Sequence, residues 1–125
     1  MREPIRDKGR LEHIIDAISH ILDYMKDKSF DEVSKDKLTY YGIVKCIEIV
    51  GEATYKLSSQ FKNTHLNTPW DEIEKMRHVL VHDYYQIDEN EVRYVIEDDL
   101  PPLLQQITRY LSETNWDEWE KEGNK

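Results

Sequence analysis

Only one cysteine, Cys46, occurs in the 125 residues, so no disulfide can form within the chain and a reducing compartment is its natural setting. Cys46 falls among apolar residues, where the ordinary role of a lone thiol is that of a small buried hydrophobe. The four glycines form no glycine-rich phosphate loop, which argues against an ATP-binding enzyme. No stretch approaches the roughly 18 apolar residues of a membrane span. The start, Met1-Arg2-Glu3-Pro4, carries charge with no apolar run behind it, so a cytoplasmic protein with no membrane association is expected. Basic residues are also short, 17 against 26 acidic for a net charge of -9. That balance weighs against non-specific nucleic-acid binding driven by overall charge, and any such contact has to be local.

What the chain does have is helical periodicity from end to end, in a length that suits one domain. Residues 1–125 read as a single helical domain with a core of about 7–111 and a C-terminal tail, 112–125. Leu11, Ile14, Ile15, Ile18, Ile21, Leu22 and Met25 recur at three- and four-residue steps and define a first helix. A polar connector from Lys26 to Lys37 follows, interrupted by Phe30 and Val33, with room for one helical turn and with Ser34 as the expected cap of the next helix. The second helix is expected from about Leu38 to Gln60. Its seam is Tyr40, Ile43, Ile47, Val50 and Leu57, interrupted at Thr54, and Cys46, Ile49 and Ala53 lie on another side. So wide an apolar arc suits a central helix or a subunit contact. Gly51 inside that helix predicts a close helix crossing, because a mid-helix glycine otherwise costs about 1 kcal/mol relative to alanine.

A third helix is expected from Pro69 to about His82, with Thr68 as N-cap and Asp71 and Glu72 in the first turn. Asp88 caps a fourth, carrying Val92, Val95 and Ile96. Pro101-Pro102 should break it, and Asp98 or Asp99 should cap a resumed helix with Leu103, Leu104, Ile107 and Leu111. Trp116 and Trp119 stand in a tail expected to fray or to bind a partner. With no strand pattern or repeat, the fold class is all-α, an antiparallel bundle of four to five helices.

The chemistry concentrates in Met76-Arg77-His78-Val79-Leu80-Val81-His82-Asp83-Tyr84-Tyr85. Arg77 can fork onto two phosphate oxygens, and His82 can take or give a proton near neutral pH, a pairing suited to cutting RNA without a metal. On an ideal helix Arg77 and Tyr84 share a face, within about 20°, whereas His82 is rotated from Arg77 by roughly 140°. The pair converges only if the helix loosens or two subunits meet. Apolar neighbours require a partner for Arg77, and an ion pair with Glu74 or Glu52 competes with catalysis as the explanation; Glu52 equally suits orienting a catalytic Arg77. Taken alone, His82 reads as a capping or hydrogen-bonded structural histidine, and Tyr84 and Tyr85 as core or interface aromatics. His78 and His82 have the i,i+4 spacing of zinc ligands. No glutamate follows His78, and His13, His20 and His65 make no second half, so no metal is expected.

Arg77-x4-His82-x-Tyr84 resembles the signature of HepT-like proteins in the HEPN superfamily. The resemblance extends through Arg10-Leu11 with Ile14-Ile15, Phe30-Asp31, Val50-Gly51-Glu52-Ala53 and Pro69-Trp70, covering Asp7 to about Leu111. His78 departs from the asparagine or small polar residue that often follows the arginine. The resemblance implies an all-α, HEPN-like bundle that dimerises so that two motifs line one cleft, and a metal-independent endoribonuclease acting as a toxin. It implies catalytic roles for Arg77 and His82, with Glu52, His78 and Asp83 as supporting residues and no cofactor. It further implies a minimal nucleotidyltransferase antitoxin that transfers AMP to Tyr84. The competing class is a non-catalytic helical interaction module that binds such a nucleotidyltransferase.

Overall fold

A computed structural model describes the backbone of residues 6–78 and 87–123, and side chains of the last helix as far as Trp119. Among these residues the chain is helical and carries no strand. Helix α1 (Asp7–Met25) buries Leu11, Ile14, Ala17, Ile18 and Ile21, the stripe that its spacing predicts. Helix α2 (Phe30–Lys35) realises the expected single turn in the connector and is closed by a capping box between Ser29 and Glu32. Ser34 is not the cap of the next helix. Its hydroxyl bonds back to the Asp31 carbonyl, and Asp36 accepts from the Thr39 amide at the start of α3 (Lys37–Tyr55). Aspartate two residues later does the same job with an unburied side chain.

Helix α3 is the centre of the bundle, packed against α1 on one side and against the segment that carries Arg77 on another. Its buried set, Tyr40, Ile43, Val44, Ile47, Val50, Gly51, Ala53 and Thr54, explains the wide apolar arc. Thr54 does not interrupt it: fully buried, its hydroxyl donates to the Val50 carbonyl at 2.8 Å and so satisfies itself within the helix. The helix ends at Tyr55, five residues before the expected Gln60. A short helix α4 (Ser59–Asn63) then starts on the Ser58 side chain.

Helix α5 (Trp70–Glu74) is also shorter than expected. The chain tightens into a 3-10 turn at Lys75–His78, and His82 lies outside the described residues. Thr68 is not its N-cap; that position is Pro69, and the buried Thr68 hydroxyl bonds instead to Gln106 and Tyr110 of the last long helix. Asp88 does cap α6 (Glu89–Tyr94), accepting from the Asn90 and Glu91 amides.

Pro101 and Pro102 do not break the chain into two capped helices. A π turn at Val95–Asp99, with the Leu100 amide bonded to the Val95 carbonyl, leads straight into α7 (Leu100–Glu113). The two prolines lack the N–H groups that would bond the carbonyls four residues back, and a widened turn removes the accompanying ring clash. Asp99 therefore makes no side-chain cap.

Among the described residues the C-terminal segment is helical and docked through its tryptophans. Helix α8 (Trp116–Gly123) stacks Trp116 on Phe61 and sets Trp119 edge-on to the same ring, while the Trp119 indole donates to Asp7 at 3.0 Å. Asp7 also accepts from the Ser58 amide and hydroxyl, so one carboxylate joins the starts of α1 and α4 to α8. Cys46 is half-buried, and burial, with Asp16 near, raises its thiol above the usual range. No described helix is long and apolar enough to cross a membrane.

Candidate functional site

Glycine at position 51 decides where Arg77 sits. A Cβ there would fall inside contact distance of the Arg77 backbone nitrogen, 2.8 Å from the Met76 carbonyl carbon and 3.0 Å from the Arg77 Cα. The predicted close crossing at Gly51 is thus real, and what crosses is the backbone of the 3-10 turn. Met76, buried at 5% exposure, pins that turn to the core, with Ile73 and Trp70 pinning the helix before it. Arg77 is left half-buried on the shoulder of α3 and His78 exposed beside it.

The Arg77 guanidinium carbon lies over the Tyr55 ring, 3.5 Å from its centroid, a close cation–π contact. Its Nε donates to His78 Nε2 at 3.1 Å, so that histidine nitrogen is unprotonated in this arrangement. Neither expected ion pair forms. Glu52 pairs with Lys56 at 3.4 Å, and Glu74 with Lys62 at 3.2 Å. No carboxylate among the described residues pairs with Arg77; an aromatic face and an imidazole meet its need for a partner instead.

Lys62 matters to this geometry. From α4 it reaches both the Tyr55 carbonyl, at 3.4 Å, and Glu74, so it ties the end of α3 to the helix that precedes Arg77. Beyond the turn, a groove of about 550 Å³ opens between α5 and the α6–α7 segment, lined by Ile73, Met76, Tyr94, Val95, Asp99 and Leu103 among others. Burial, reinforced by Asp98 and Glu72, raises the Asp99 carboxyl above the usual carboxylate range. Arg77, which lies over Tyr55, is not among the residues lining this groove.

His82, Asp83, Tyr84 and Tyr85 lie outside the described residues, and with them the second half of the expected pair, the AMP acceptor and the zinc reading of His78 with His82. The shared face expected for Arg77 and Tyr84 likewise lies outside the described residues; within them the α-helix ends at Glu74 and Arg77 stands in the 3-10 turn that follows. Of the proposed supporting residues, His78 contacts Arg77 and Glu52 is engaged with Lys56. Tyr55 and Lys62 were not among the residues read from the sequence. The i,i+4 spacing of Tyr55 from Gly51, at a predicted crossing, is the signal that points to Tyr55.

Comparisons with known proteins place the chain among ribonuclease-named relatives. The chain is 32% identical over 96 residues to a protein named "Probable ribonuclease HepT" from Thermococcus cleftensis, covering 77% of this chain and 87% of that one. It is 32% identical over 103 residues to a Methanocaldococcus jannaschii protein named "Gamma-glutamylcyclotransferase and putative RNase"; that match covers 82% of this chain but only 46% of the relative. A third relative, from Caldanaerobacter subterraneus and named "Putative RNase", is 32% identical over 101 residues, 81% of this chain and 90% of its own. No solved structure matches. The model of the HepT-like family, described as ribonuclease HepT-like, matches residues 14–110, and the chain belongs to that family.

Proposed function

We propose that this protein, a single domain over residues 1–125, is a metal-independent endoribonuclease and the toxin of a toxin–antitoxin pair in the cytoplasm. The observation that carries the reading is Arg77, held within a tightened turn on Tyr55 with no described carboxylate competing for its N–H groups. In the reaction the RNA 2′-hydroxyl attacks the adjacent phosphorus and the 5′-oxygen leaves. His82 moves the proton as general base or acid, and Arg77 stabilises charge developing on the phosphorane. Loss of either group should cost on the order of 2–4 kcal/mol of transition-state stabilisation. His78 supports Arg77 through its Nε; Glu52 and Asp83 are the remaining supporting candidates.

With an acidic body, the basic surface for RNA has to be local, and a cleft shared by two copies would double the arginines and histidines that line it. Silencing follows from the same chemistry. A minimal nucleotidyltransferase antitoxin transfers AMP to Tyr84, and the attached phosphate occupies Arg77 in place of RNA.

One test is cleavage of total RNA in EDTA by protein whose intact mass excludes AMP on Tyr84, beside folded Arg77→Ala and His82→Ala variants. Cleavage by the parent alone is the expected result; equal cleavage by His82→Ala would overturn the assignment. A second reading, a non-catalytic module that binds a nucleotidyltransferase partner, draws on the outer face of α3, where Leu38 is 87% and Ile49 40% exposed. Absence of cleavage by every unmodified form would favour it.

A further inference from the structure

An arginine that must receive a phosphate meets two opposing demands. Its long side chain has to be held in one place, yet a carboxylate that held it would occupy the N–H groups that the phosphate needs. A ring face resolves the conflict, because a cation–π stack engages the plane of the guanidinium and leaves its in-plane donors free. Arg77 lies 3.5 Å over Tyr55, and its hydrogen bond among the described residues runs from Nε to His78.

We propose that Tyr55 is the positioning residue of Arg77, fixing its guanidinium by ring stacking so that both Nη groups are presented to an RNA phosphate. The proposal rests on the reading of Arg77 as a catalytic residue. The stack is built into the fold at three points. Tyr55 is the last residue of α3, one turn beyond Gly51, whose missing side chain admits the Arg77 backbone. Lys62 binds the Tyr55 carbonyl and, through Glu74, the helix that leads into Arg77. Tyr55 is itself 48% exposed. Its ring contributes little to the core, and the arginine is what it supports.

The test combines kinetics with a spectroscopic readout. Steady-state cleavage of a defined oligoribonucleotide is measured for unmodified parent, Tyr55→Phe, Tyr55→Leu, Arg77→Ala and the Tyr55→Leu/Arg77→Ala double variant. Tyr55→Phe keeps the ring and should stay within about twofold of the parent. Tyr55→Leu should lower kcat by roughly five- to thirtyfold, the upper part of the range of a cation–π contact, with KM little changed. In the Arg77→Ala background the same change should add nothing, since the residue acts only through Arg77.

Independently of activity, the Arg77 side-chain protons should show an upfield ring-current shift in NMR spectra of the parent and Tyr55→Phe that disappears in Tyr55→Leu. This also serves if Tyr55→Leu folds poorly, because the parent spectrum alone reports the stack. An unshifted Arg77 in the parent would overturn the proposal, as would an unaffected kcat in Tyr55→Leu while that of Arg77→Ala falls. A Tyr55→Phe loss as large as that of Tyr55→Leu would overturn it too, by assigning the role to the hydroxyl. Full activity in Arg77→Ala would instead remove the reading on which it rests.

Discussion

Replacing Gly51 and, separately, Gly42 by alanine puts the same methyl group at two points of one helix, and the two should move stability in opposite directions. Both positions are helical, with φ in the ordinary negative range, so alanine gains the same propensity of up to about 1 kcal/mol at each. At Gly42 the new Cβ meets nothing within 4 Å, and that gain should appear undiminished. At Gly51 it would stand 2.8 Å from the Met76 carbonyl carbon, where an ordinary contact is about 3.5–4.0 Å. The 3-10 turn must therefore retreat by roughly 1 Å. Backbone cannot swing aside as a side chain end can, and Met76 is buried in the core, so the retreat carries the usual overpacking cost of about 1–3 kcal/mol.

The net expectation is stabilisation by about 0.5–1 kcal/mol for Gly42→Ala and, with the overpacking cost set against the same gain, destabilisation by up to about 2 kcal/mol for Gly51→Ala. Urea unfolding followed by circular dichroism measures both, and a thermal shift of about 4 °C per kcal/mol gives a second reading. The retreat also lifts Arg77 off Tyr55, so RNA cleavage should fall in Gly51→Ala and persist in Gly42→Ala. Two alanine variants equally stable, or both stabilised, would refute the close crossing and with it the placement of Arg77.

Tyr40 is buried, and its hydroxyl finds no hydrogen-bond partner among the described residues. Burial first, then Glu89 and Asp88, push its pKa up to about 12. Because the folded state holds this proton more tightly than the unfolded chain, the stability it contributes is present below pH 10 and lost between about pH 10 and 12. Tyr40→Phe should gain roughly 1 kcal/mol at neutral pH and flatten the alkaline limb, by urea titration at a series of pH values; an unchanged alkaline limb would refute the assignment. Asp7→Ala removes acceptors for the Ser58 amide and hydroxyl and for the Trp119 indole, and should cost about 2–3 kcal/mol with a red shift of tryptophan emission as α8 loosens. Lys62→Met leaves the largely buried Glu74 carboxylate unpaired and should cost about 1–3 kcal/mol, whereas Lys75→Met, in an exposed pair with Glu72, should change stability by less than about 0.5 kcal/mol.

Much of the molecule is written in local patterns. The stripe of α1, the breadth of the apolar arc on α3, the Asp88 cap and the demand for a close crossing at Gly51 each depend on spacing within a few residues, and each is found in the fold. The errors share a cause. Ser34 and Thr68 are good caps by type, but both are buried by tertiary packing, and their hydroxyls are taken by the Asp31 carbonyl and by Gln106 with Tyr110. Pro101-Pro102 reads as a break, yet a π turn absorbs it, and no residue type advertises such a turn. Trp116 and Trp119 look like a loose tail because the ring they pack on, Phe61, lies more than fifty residues away in the chain.

The same division holds for the site. By itself the sequence determined the helical class, the family and the motif carrying Arg77, because these reside in residue types at fixed separations. Only the tertiary structure decided how Arg77 is held. The expected carboxylates are claimed by Lys56 and Lys62, and the partner proves to be an aromatic ring brought under the guanidinium by two segments crossing at a glycine. Spacing along a chain sets which groups could meet, but competition among neighbours in three dimensions sets which of them do.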